Sequence, residues 1–186
     1  MEFLHTNIYI HPLLLCLLVG TICWTIMART EKKFFTVGRV KQSFSILDLQ
    51  FSPSEQDFNK LLSGIQKLPA SEAKSSRKAL KKHLYIDFLF MPALYLFILF
   101  LCFITAGFMR SSGVGLFKFL GYLQILPWAC DIAENWFILK RMQVISEDHQ
   151  TFNFYRILVF VKWGVAAVVL VAALSVLVYF WMGGRL

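Results

Sequence analysis

A chain of 186 residues that is 58% hydrophobic and only 16% charged, with a mean hydropathy of +0.61, lies outside the composition of soluble globular domains. Its formal charge of +8 does not point to nucleic acid, because no groove pattern of interleaved basic and aromatic residues accompanies the charge. The expected class is an all-α membrane protein, a bundle of four transmembrane helices at about 8–27, 84–108, 116–139 and 155–182. Each block reaches the roughly 20 residues that cross a hydrocarbon core of about 30 Å.

The first block is read as a retained helix. Residues 1–11 carry no Lys or Arg, the apolar run is too long for the core of a signal peptide, and no clear small-residue cleavage pattern follows it. Next comes a basic insertion, about 28–83. Its FSILDLQF stretch (44–51) mixes β-branched, aromatic and polar residues and predicts a short strand. Ser52, Pro53 and Glu55 then have the spacing of a capping box, predicting an amphipathic helix at about 53–66. Phe58, Leu61, Leu62 and Ile65 recur at i, i+3, i+4 and i+7 and give it one apolar face, to be laid on the membrane surface or against the bundle. After Pro69, the residues Lys74, Arg77, Lys78, Lys81 and Lys82 fall on one side of a helix running into the second span. They are a solvated face or a strip for acidic lipid headgroups, at about 1 kcal/mol per basic residue near the surface.

On the second span Asp87, Met91 and Tyr95 share a face, Pro92 loosens the backbone, and His83 lies one turn before Asp87. On the third, Asp131, Glu134 and Asn135 stand at i, i+3 and i+4, with Gln124 and Pro127 on the same stripe. The fourth holds Lys162, followed by Gly164 among small residues, a pattern of close helix approach. The four cysteines suggest neither a disulfide nor a zinc framework.

Loop charge sets the expected orientation, since Lys and Arg favour cytoplasmic loops. Twelve basic residues lie between the first two blocks, and Lys140, Arg141 and Arg156 lie between the last two. The outer loop has Arg110, and Lys118 sits just inside the third block. Both termini are therefore expected outside the cytoplasm, with the large insertion inside. On that topology Asp87, Asp131, Glu134 and Lys162 all fall within about 5–15 Å of the cytosolic boundary, at 1.5 Å per residue.

A charged side chain near the bilayer centre costs at least about 2.5 kcal/mol, so charged groups within spans usually face the bundle interior and pair, or mark a site. The bland alternative is polar glue between helices. The leading expectation is a polar site in the cytosolic leaflet that binds or acts on an amphipathic, lipid-like ligand. Asp131, Glu134 and Lys162 are its candidate catalytic groups, the first two as general base and acid. Asp87, Tyr95, Gln124 and Asn135 are candidate ligand contacts. Asp131 and Glu134 are also candidate ligands for a divalent cation such as Mg, because oxygen donors without His or Cys disfavour zinc. A second expectation is a cation or proton channel or transporter subunit, assembled as a homo-oligomer around the acidic stripe. A third is an adaptor or effector acting through its basic segment. Membrane lipids are the expected partners.

The segments YIDFLFMPALY (85–95), DIAENWFILKRM (131–142) and FVKWG (160–164) resemble a group of small bacterial four-span membrane proteins, through the motifs D-F-x-F-x-P and D-x-x-E-N. The resemblance covers the three C-terminal spans and implies a multi-pass protein of the bacterial inner (plasma) membrane. It carries over no activity.

Overall fold

The computed structural model describes residues 3–109, 111–144 and 148–183. Among these residues, seven helices and one small hairpin follow in chain order: α1 (Phe3–Glu31), β1 (Phe35–Val37), β2 (Lys41–Ser43), α2 (Ile46–Gln50), α3 (Glu55–Gln66), α4 (Ala70–Gly107), α5 (Ser111–Tyr122), α6 (Ile125–Arg141) and α7 (His149–Met182). Among the described residues, three helices are long and apolar enough to cross a membrane: Ile8–Glu31 of α1, Ala70–Gly107 and His149–Met182. The protein is thus mostly helical, with multi-pass membrane character.

The third apolar block does not form one helix. It is divided into α5, of 12 residues, and α6, of 17. Pro127 supplies the reason. It has no N–H to offer the carbonyl four residues earlier, and its ring would clash with that carbonyl. The Leu123 carbonyl accepts instead from the Leu126 N–H (3.0 Å), and the Gln124 N–H reaches back three residues to the Gly121 carbonyl (3.1 Å). This tight turn ends one helix and starts the next.

The contacts divide the chain into two compact units. One comprises Met1–Thr21, Phe90–Cys130 and Val161–Leu186; the other comprises Ile22–Leu89 and Asp131–Phe160. In the first, a core of Ile98, Leu101, Cys102, Ala106, Phe117, Val169 and Ala173 joins α4, α5 and α7. Gly121 permits the close approach of α5 to α4, since a Cβ there would lie 3.1 Å from the Phe103 ring and 3.3 Å from the Cys102 Cβ. Gly164, in contrast, faces open space with nothing within 4 Å, so the close helix approach expected there is not made.

The second unit holds the insertion and a larger core. Phe34, Phe44, Leu49, Phe58, Leu62, Ile65, Leu80, Leu84, Ile138, Phe152 and Tyr155 are buried together. The strands pair antiparallel, Phe35 opposite Ser43 and Val37 opposite Lys41. The hairpin is tied to α4 in both directions: the Phe35 N–H donates to Ser76 Oγ (3.0 Å), and Ser76 Oγ donates to the Phe35 carbonyl (3.1 Å). The expected strand at 44–51 is instead helix α2. Ser45 is its N-cap and accepts from the Asp48 N–H (3.2 Å), while the Asp48 carboxylate accepts from the Ser45 N–H (2.7 Å). This reciprocal cap outweighs the β-leaning composition of the stretch. The strands lie just before it.

Helix α3 forms as the periodicity predicts, with Phe58, Leu62 and Ile65 buried, and it packs against β1 and this core. Its N-cap is Ser54, two residues later than expected; Ser52 Oγ donates to the Asp48 carbonyl instead. Gly64 lets α3 touch the hairpin, since a Cβ there would collide with Thr36 Oγ1 and come within 2.8 Å of the Val37 carbonyl oxygen.

Candidate functional site

In the second unit, α4 and α6 are joined through polar side chains. Asn135 Nδ2 donates to Asp87 Oδ2 at 2.8 Å, so the D-F-x-F-x-P and D-x-x-E-N segments meet. The i, i+3, i+4 stripe on α6 faces inward as expected: Glu134 is wholly buried, and Asn135 and Asp131 nearly so. The outer face of the same helix carries Ile132, Trp136 and Lys140. The Asn135 amide oxygen is buried without a hydrogen-bond partner among the described residues, an acceptor left for water or a ligand group.

Above this stripe stands His83, one turn before Asp87 on α4. It is buried beside the Phe34 ring, with Nδ1 3.4 Å from Thr30 Oγ1 on α1. Its Nε2 has no hydrogen-bond partner among the described residues. Among those residues, no three His, Cys, Asp or Glu side chains are grouped to hold a metal.

The remaining expected site residues lie in the first unit. Lys162, Tyr95 and Gln124 are each buried there. Lys162 Nζ lies 5.6 Å from the Trp163 ring centre. Gln124 sits at the turn between α5 and α6, where its Nε2 donates to the Leu120 carbonyl (3.4 Å).

The basic strip on α4 is divided by the packing of its helix. Ser76, Ala79, Leu80 and His83 take the inner face, leaving Lys74, Lys78 and Lys82 exposed one turn apart. Arg77 is engaged elsewhere, donating through Nη2 to the Met142 carbonyl (2.7 Å) at the end of α6. That contact satisfies one of the carbonyls a helix end leaves open.

Sequence reasoning missed a second buried polar cluster. Glu55, at the start of α3, is buried and accepts at Oε1 from Arg141 Nη2 (2.9 Å) and from the Asp148 N–H (2.7 Å). Its Oε2 lies 2.7 Å from His149 Nδ1. Arg141 also donates to the Asp148 carbonyl (3.3 Å) and packs over the Phe137 ring, 5.1 Å from its centre. One carboxylate thus gathers the start of α3, the end of α6 and the start of α7. From sequence, Glu55 reads as a capping residue and Arg141 as an orientation signal. Only the position of Arg141 four residues after Phe137, on the inner face of α6, hints at burial.

No protein-family model matches the chain, and neither the curated proteins nor the solved structures contain a match.

Proposed function

We propose that this is a multi-pass membrane protein whose buried stripe on α6, with Asp87 of α4, receives the polar head of an amphipathic, lipid-like molecule. The single observation carrying this reading is the Asn135–Asp87 hydrogen bond beside buried Asp131 and Glu134. Two helices commit to one place side chains that are costly to bury, and the open Asn135 oxygen offers a ligand an acceptor. Asp131 and Glu134, about one turn apart, are also where a divalent cation would bridge protein and headgroup, with the headgroup and water completing the six to eight oxygen ligands such ions take. In this reading α5 and α6 together make a fourth crossing, and the basic insertion lies on the cytosolic side.

The test is lipid retention. Asp131→Asn and Glu134→Gln proteins are purified in mild detergent, their helix content and melting are checked, and tightly held lipid is quantified by mass spectrometry. A several-fold fall in retained lipid at unchanged helix content supports the site. Equal retention in wild type and both variants, with only the melting lowered, would leave the stripe as inter-helix packing and end the proposal.

A further inference from the structure

Four helices of the second unit carry an exposed ring three to five residues from a basic residue, always on the apolar side of it. The pairs are Trp24 and Arg29 on α1, Tyr85 and Lys82 on α4, Trp136 and Lys140 on α6, and Phe160 and Arg156 on α7. All four rings are more than half exposed, from 59% to 68%. Aromatic rings prefer the headgroup level of a bilayer, and long basic side chains reach from there toward water. Each pair has the make-up of a helix end at a membrane boundary.

Helix α2 touches one of these pairs. The ring of Phe51, its C-cap, meets the Phe160 ring edge-on at 6.1 Å. Leu47, one turn earlier on the same face, is 48% exposed and Phe51 46%. The opposite face is committed to the protein through buried Leu49, and Gln50 beside it is buried too. Asp48, together with Leu47 and Phe51, lines an open cleft of about 760 Å³ whose wall also includes Lys60 of α3 and Lys67, the C-cap of that helix. With Leu47 and Phe51 half-exposed, Asp48 polar and Leu49 buried, α2 has the composition of an interfacial segment.

We propose that α2 is a membrane-surface anchor, with Leu47 and Phe51 inserted at the boundary between headgroups and acyl chains, continuing the apolar surface of α7. The inserted occupant is the bilayer itself. The inference rests on α7 spanning the membrane and is independent of the polar stripe on α6.

Site-directed spin labelling in phosphatidylethanolamine and phosphatidylglycerol vesicles tests it. Single cysteines replace Leu47, Asp48, Phe51 or Phe160 in a protein whose four native cysteines are Ala. Collision with oxygen, which concentrates in the bilayer, is compared with collision with a water-soluble nickel chelate. Oxygen is expected to dominate at 47, 51 and 160, with the balance reversing at 48. Nickel dominance at 47 and 51 while 160 remains lipid-exposed overturns the anchor and assigns those side chains to the aqueous cleft. Nickel dominance at 160 also overturns it, by removing the membrane reading of α7 on which it stands.

Discussion

Glu55 and Arg141 carry opposite charges into a setting where each is nearly inaccessible, with side chains 2% and 5% exposed. Removing one partner of such a pair leaves the other buried without its counter-charge, at a cost of about 3–5 kcal/mol. Glu55→Leu is therefore expected to lower stability by that amount in denaturant titrations of the solubilised protein. The double variant Glu55→Leu/Arg141→Met should recover much of the loss, because it buries no lone charge. Glycine gives a second contrast. At Gly64 an added methyl meets Thr36 Oγ1 and the Val37 backbone, so Gly64→Ala should cost about 1–3 kcal/mol. Gly164→Ala meets nothing within 4 Å and sits inside a helix, where Ala is favoured by up to about 1 kcal/mol. Thermal melting of the two variants should shift in opposite directions. The sequence pattern alone favours the reverse assignment, since small neighbours surround Gly164 while Gly64 stands in an ordinary amphipathic repeat. Close approach is a property of what lies opposite, and a linear pattern does not carry it.

Helix starts in the second unit depend on short local hydrogen bonds. Ser54 caps α3, donating to the Asp57 carboxylate (2.7 Å) and accepting from the Asp57 N–H (3.1 Å), while Asp57 also pairs with Lys60 (2.9 Å). The Lys60 bond first, and the Ser54 bond second, hold the Asp57 carboxyl below its ordinary value of 3.8. At the start of α7, the Thr151 hydroxyl and then the Thr151 N–H hold Asp148 low in the same way. A folded-state value below the unfolded one means that the contribution is complete above the unfolded value and is lost as pH falls through the folded one. Stability should therefore decline below pH 3.8, and Asp57→Asn with Asp148→Asn should flatten that decline in an acid titration followed by circular dichroism. At this scale much was legible: the repeat of α3 and the apolar lengths of α1, α4 and α7 follow from periodicity and composition. The strand expected at 44–51 fails because Ser45 and Asp48 close a cap that hydrophobic composition does not register. The division of the third block was written in Pro127, whose effect is local and whose position among apolar residues conceals it.

For the molecule as a whole, the three long apolar helices among the described residues and the divided third block leave a clear topological test. If α5 and α6 jointly cross, reporters fused to the two ends of the chain report one compartment and a reporter in the insertion reports the other. A C-terminal reporter in the compartment of the insertion would mean that α5 and α6 enter and leave on the same side. The polar stripe was legible in part. The spacing of Asp131, Glu134 and Asn135 predicted one inward face, and the pairing of Asn135 with Asp87 links two motifs 48 positions apart. The cluster around Glu55 was not legible, because its partners lie 86 and 93 positions away and nothing local marks them.

The hairpin is fastened at its base by Ser76 and pressed from one side by α3, whereas its tip is not. Gly38, Arg39 and Val40 are exposed, Val40 at 76%, and a Cβ on Gly38 would touch nothing within 4 Å. The tip is consequently the natural place to splice in an affinity epitope or a small carrier domain. Such a graft between Arg39 and Val40 would add soluble mass for imaging by electron microscopy while leaving the bonds at the hairpin's base untouched.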